Sequence, residues 1–116
     1  MLTWDELRGR RDIIAAIDWQ MTPQEAFESY QLKGREGWRA RSLPQVYFFY
    51  LSVWRGQAKV LLVRRAIKDS EEIAEAPVPA DLRAALAARA EGEQMPRGQI
   101  ALDQAIRDWL RAELGV

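Results

Sequence analysis

The chain has no cysteine and no histidine among its 116 residues. Without cysteine there is no disulfide framework, no thiolate zinc site and no thiol nucleophile. Without histidine every Ser–His and Cys–His catalytic pair is excluded, as is every imidazole metal ligand. A carboxylate-only magnesium or calcium site remains open, but the spacing of an EF-hand loop is missing. A P-loop, a dinucleotide-binding glycine pattern and a nucleophile elbow are missing as well. No metal and no cofactor is therefore expected. Small-molecule binding or enzymatic activity through a carboxylate-and-arginine site ranks last among the function classes.

Long apolar runs are also lacking. No stretch approaches the roughly 20 apolar residues that a membrane span requires. Residues 4–11 carry charges where a signal peptide would be apolar. A cytoplasmic location with no membrane partner is expected. The charge is balanced overall, with 17 basic and 17 acidic residues. It is not balanced along the chain. Residues 1–68 hold 12 Lys/Arg against 7 Asp/Glu, an excess of +5, and residues 69–116 hold 5 against 10, an excess of −5. Either the two halves dock and neutralise each other, or the basic half offers a surface to an anionic partner. An apolar content of 48% matches globular chains, so residues 1–116 are expected to bury a core as one domain.

The densest apolar and aromatic content lies in Gln45 to Ile67, QVYFFYLSVWRGQAKVLLVRRAI. Val46–Trp54 and Ala58–Ile67 are rich in β-branched and aromatic residues, and Arg55-Gly56-Gln57 lies between them. Gly56 reaches positive φ without a Cβ clash, so the pattern predicts a hairpin. A loop of Arg55-Gly56 or of Gly56-Gln57 sets odd positions of the first strand beside even positions of the second. One face then carries Tyr47, Phe49, Leu51, Val53, Val60 and Leu62 and is expected to lie against helices. The other carries Phe48, Tyr50, Ser52, Trp54, Lys59, Leu61, Val63 and Arg65, mixing aromatics with cations. A three-residue loop would re-pair these faces.

Around the hairpin, Thr3-Trp4-Asp5-Glu6 is a capping box and predicts a helix over 4–17, weakened at Gly9. Thr22-Pro23-Gln24-Glu25 is a second capping box and opens a helix to Lys33. Alternation over Trp38 to Ser42 predicts a short strand. A strand over Glu71 to Val78, a helix over Pro79 to Glu91, a loop over Gly92 to Gly98 and a helix over Leu102 to Leu114 follow. In that last helix Ile106, Trp109 and Leu110 share one face, and Trp109 is expected to be buried against the sheet. The expected class is α+β: two N-terminal helices, a three- to four-stranded antiparallel meander and two C-terminal helices.

Ile17-Asp18-Trp19-Gln20-Met21-Thr22-Pro23, followed by Ala26, resembles the opening of a family of short bacterial proteins of unassigned activity. In that family an I-D-W-x-M-T-P segment precedes a helix and then an apolar hairpin. Val60-Leu61-Leu62-Val63-Arg64-Arg65 and Ile106-Arg107-Asp108-Trp109-Leu110 carry the same likeness, which covers most of the chain from Ile17 onward. The resemblance implies a stand-alone bacterial domain and brings no catalytic or binding residue. The helix–strands–helix order also superficially resembles a double-stranded-RNA-binding domain. Those domains resemble one another in a basic, alanine-rich start to the last helix, and here that start is Pro79-Ala80-Asp81-Leu82, without lysine.

The leading functional expectation is a non-catalytic interaction module, meeting a second copy or another protein through Phe48, Tyr50, Trp54, Lys59 and Arg65. Aromatics beside cations are the residue types enriched at interface centres. The alternative is nucleic-acid binding through Lys33, Arg35, Trp38, Arg39 and Arg41 with Arg64, where cations interleaved with an indole suit phosphate contact and base stacking. The plainer reading of those charges is a solvated edge. Asp18 beside Trp19 is either a carboxylate with a raised pKa for acid–base work or, as loop aspartates commonly are, a cap on backbone amides.

Overall fold

The computed structural model describes residues 1–26, 45–66, 69–92 and 97–116. The first capping box forms as the sequence predicts. The Glu6 amide donates to the Thr3 hydroxyl at 3.1 Å, and the Thr3 amide donates to the Glu6 carboxylate at 3.0 Å. The Thr3 amide, then its hydroxyl, holds the Glu6 carboxyl below the usual carboxylate range. The helix it opens, α1 (Trp4–Gly9), does not run on to Ile17. The chain breaks at Arg10 (φ −94°, ψ 75°), whose amide donates to the Leu7 carbonyl at 2.9 Å, and α2 (Arg11–Ala16) starts afresh. Packing explains why one expected helix is two. On a single straight helix Leu7 and Ile13 would lie about 120° apart around the axis. The break lets Leu7, Ile13 and Ile14 all reach the core.

Four antiparallel strands follow among the described residues: β1 (Gln45–Trp54), β2 (Gln57–Ala66), β3 (Ser70–Glu75) and β4 (Arg97–Ile100). Their order in the sheet is β3-β2-β1-β4. The first three form the expected meander. The fourth strand comes from residues expected to be a loop. Arg97-Gly98-Gln99-Ile100 shows no alternation of its own and is strand because it pairs with Leu51–Trp54 at the open edge of β1. The short strand expected at 38–42 lies outside the described residues. Further along the same edge of β1, the Asp18 amide donates to the Tyr47 carbonyl at 2.8 Å.

β3 is shorter than expected. It leaves the ladder at Ala76, and the Val78 amide turns back to the Ala76 carbonyl across Pro77 at 2.9 Å. The Pro79 carbonyl then accepts from Leu82 and Arg83 and starts α3 (Ala80–Gly92). The last helix, α4 (Gln104–Leu114), begins two positions later than expected, after Asp103, and ends on Gly115 at φ 72°. The helix expected from Pro23 opens over residues 23–26, where the Glu25 amide donates to the Thr22 hydroxyl at 3.2 Å. Its continuation to Lys33 lies outside the described residues.

The main core lies on one face of the sheet. Phe49, Leu51, Val53, Val60 and Leu62 meet Leu7, Ile13 and Ile14 from the N-terminal helices, Leu86 from α3, and Ile106, Leu110 and Leu114 from α4. The α4 contact line is therefore i, i+4, i+8. Trp109 is not buried against the sheet. It lies half-buried at the margin of that line and stacks on Trp4, with ring centroids 6.2 Å apart and planes at 6°. The three aliphatic side chains occupy the sheet-facing side, so the indole finds its partner on α1.

Candidate interaction surface

The pairs Trp54↔Gln57 and Val53↔Ala58 show that the hairpin loop is Arg55-Gly56. Both loop residues have positive φ, 50° at Arg55 and 79° at Gly56, as a type I′ turn requires. The two expected faces follow from this register. The helix-packed face is described above.

The second face is divided. At the end far from the turn, Phe48 (3% exposed) and Tyr50 (7%) are interior, packed with Met21, Ala26, Leu61 and Val63. Their rings lie 5.9 Å apart. Phe48 and Tyr50, expected on an open partner-binding face, are therefore covered by their own chain. The physical reason is the segment after α2. Asp18 accepts from the Gln20 and Met21 amides at 3.0 and 3.1 Å and turns the backbone so that Met21 reaches these rings. That carboxylate is the backbone cap, and the indole of Trp19 stacks on Phe49 at 5.5 Å with the Arg111 guanidinium over it at 5.4 Å. Arg65 is half-buried at the same end, beside a cavity of about 40 Å³ lined also by Pro23, Phe48 and Gln99.

The turn end of this face is open. Trp54 is 50% exposed, Lys59 and Gln57 are exposed on β2, and Gln99 of β4 is exposed beyond Ser52. The Arg55 guanidinium sits over the Trp54 ring, 5.2 Å from its centroid. The contribution of Arg55 was not legible as a site residue. The available signal was a long cationic side chain where a type I′ turn prefers asparagine or glycine.

The candidate nucleic-acid residues Lys33, Arg35, Trp38, Arg39 and Arg41 lie outside the described residues. Arg64, the remaining one, lies on the helix-side face. Its guanidinium donates to Asp69 at 3.0 Å and to Glu71 at 3.3 Å, and the Asp69 bond is the first cause of a pKa raised above the ordinary arginine value. These two bonds join the basic half of the chain to the acidic half. The other ion pairs among the described residues, Arg10–Asp12 and Arg89–Asp103, each stay within one half. No group of three or more acidic side chains placed to hold a metal ion occurs among the described residues. No helix among them is long and apolar enough to cross a membrane.

No protein-family model, no curated protein and no solved structure matches the chain.

The turn permits a direct test of local strain. A Cβ at Gly56 would meet nothing within 4 Å, so Gly56→Ala carries only the left-handed backbone penalty, about 1–2 kcal/mol. Arg55→Asn should move stability the other way, by up to about 1 kcal/mol, because asparagine tolerates positive φ better. Urea denaturation midpoints of the two variants read both signs.

Proposed function

We propose that the protein is a non-catalytic interaction module, and that its contact surface is the turn end of the second sheet face. The observation that carries this is Trp54, half exposed at the end of the hairpin and roofed by Arg55, a non-glycine residue at positive φ. The turn needs positive φ at both loop positions, and a long cation at the first of them, where asparagine or glycine is preferred, sets a guanidinium over the exposed indole. Indole and guanidinium are also the groups most concentrated at binding hot spots. Lys59 and Gln57 supply a polar rim. Phe48 and Tyr50 lie in the covered part of the same face, and Arg65 lies at its far end, away from the turn. The resemblance of Ile17–Pro23 to short bacterial proteins of unassigned activity supports reading the module as a bacterial domain.

A second copy of the chain is the first partner to test. Light scattering over a concentration series is expected to show a mass above that of one chain, returning to the monomer value in Trp54→Ala. Arg55→Asn should weaken association while raising stability, which separates contact from folding. A wild-type chain that stays monomeric, with a Trp54→Ala variant unchanged in fold and solubility, would count against self-association. Capture of another protein by wild type but not by Trp54→Ala would then identify the second kind of partner.

A further inference from the structure

We propose a second binding site at the edge of β2, taking an extended acidic peptide segment of a partner protein as an added strand. It shares Lys59 with the rim of the Trp54 surface but uses the strand edge and α3, not the indole. In a hairpin closed by a two-residue turn, the residues flanking the turn exchange hydrogen bonds, and polar groups then alternate in direction along each strand. Gln57, Lys59 and Leu61 thus turn their amides and carbonyls toward β1, while Ala58 and Val60 turn theirs outward. On that outer side the register of β3 stops at Leu61↔Glu75, and its last backbone bond runs from the Ala76 amide to the Val60 carbonyl at 2.9 Å. The chain then bends away at Pro77. Ala58 is left with an outward N–H and C=O that no strand among the described residues meets.

These groups do not simply face bulk water. They open into a groove whose far wall is α3. Two adjoining cavities of about 430 and 450 Å³ share Ala58, Lys59, Glu75, Arg83 and Leu86 as lining, so they form one trough beside the strand edge. An extended chain is the ligand whose own polar groups repeat at the spacing of a strand, and strand addition to an open edge is the physical match. At about 3.3 Å per residue, the open edge from Gln57 to Lys59 accommodates roughly three residues of peptide.

The side chains give the ligand its character. Arg83 donates one guanidinium N–H to the Val78 carbonyl at 3.1 Å, which fixes the side chain at the groove and leaves its other donors. Lys59 forms no ion pair among the described residues. Against these two cations stands one carboxylate, Glu75, so the trough favours an acidic occupant. In the added strand, residues i and i+2 would turn toward α3, one meeting Leu86 and the other Arg83. Residue i+1 would turn to the other face, toward Lys59. The expected pattern is apolar–acidic–acidic within an extended stretch.

The test uses fluorescein-labelled Ser-Leu-Asp-Glu-Ser, with valine and isoleucine versions, titrated against the full chain by anisotropy. The acidic peptides are expected to bind at least about tenfold more tightly than Ser-Leu-Lys-Lys-Ser. Ala58→Pro removes the outward N–H without touching the β1 ladder, and should weaken binding by about tenfold or more, as should N-methylation of the central peptide amide. Arg83→Glu should reverse the charge preference, which keeps the idea testable if Ala58→Pro fails to fold. Trp54→Ala should leave peptide binding unchanged, and Ala58→Pro should leave self-association unchanged, so the two surfaces can fail separately. No binding by any acidic peptide up to about 1 mM, or binding indifferent to both peptide charge and Arg83→Glu, overturns the proposal.

Discussion

Deletion of residues 100–116 is expected to leave an insoluble or molten chain. α4 contributes Ile106, Leu110 and Leu114 at 2%, 0% and 1% exposure, and Leu102 just before it is also buried. Each such aliphatic side chain costs about 2–5 kcal/mol when truncated to alanine, and a small domain has only about 5–15 kcal/mol in total. Losing the whole stripe therefore exceeds what the rest of the fold can hold. Ile100 leaves with the deletion too, and it pairs with Leu51 at the end of β4, so the open edge of β1 loses part of its cover. The point variants should rank in the order of burial. Leu110→Ala should cost about 2–5 kcal/mol by urea denaturation, and Trp109→Ala less, because Trp109 is half-buried at the core margin, stacked on Trp4. A truncated chain that is soluble and melts cooperatively near the full-length temperature would show that α4 is an appendage.

Phe48→Ala and Phe49→Ala are each expected to destabilise by about 3–5 kcal/mol, although the two residues point to opposite faces of β1. Phe49 (5% exposed) lies between Trp4, at 6.3 Å, and Trp19, at 5.5 Å, in the main core. Phe48 belongs to the smaller cluster with Met21 and Ala26. Equal penalties would mean that both faces are interior at this end of the sheet. Trp54→Ala on the same strand should stay within about 0.5 kcal/mol of wild type, as exposed positions usually do. Chemical denaturation of the three variants side by side makes the comparison. If Phe48→Ala is as mild as Trp54→Ala, the second face is open over its whole length and the partner surface extends to Phe48 and Tyr50.

Interactions between near neighbours were legible from the residues alone. The Thr3–Glu6 box, the Thr22 cap, the Asp18 bonds to the next amides and a tight turn at Gly56 each involve side chains or dihedrals within a few positions, although which two residues form the turn was settled by the strand register. The alternation of strands β1 and β2 is equally local, and with the turn length it sorted their residues onto two faces. The α+β class followed, since strands grouped between helices leave few other arrangements.

What tertiary structure decided was where segments distant in sequence compete for the same surface. The break at Arg10 exists because Leu7, Ile13 and Ile14 must all reach one core, which no helical period on its own reveals. β4 exists because Leu51–Trp54 at the edge of β1 present backbone groups that Arg97–Ile100 meets. Four residues without a pattern of their own thus became a strand. Trp109 turned to Trp4 because Ile106, Leu110 and Leu114 filled the sheet-facing line first. The candidate surfaces divide in the same way. The mixed character of the second face could be read from alternation, but its division into a covered end and an open end depended on Met21 and Ala26 reaching Phe48 across more than twenty positions of sequence. The groove beside Ala58 depended on where β3 ends and where α3 packs, because an open strand edge is made by the departure of a neighbour and leaves no mark on the residues that carry it.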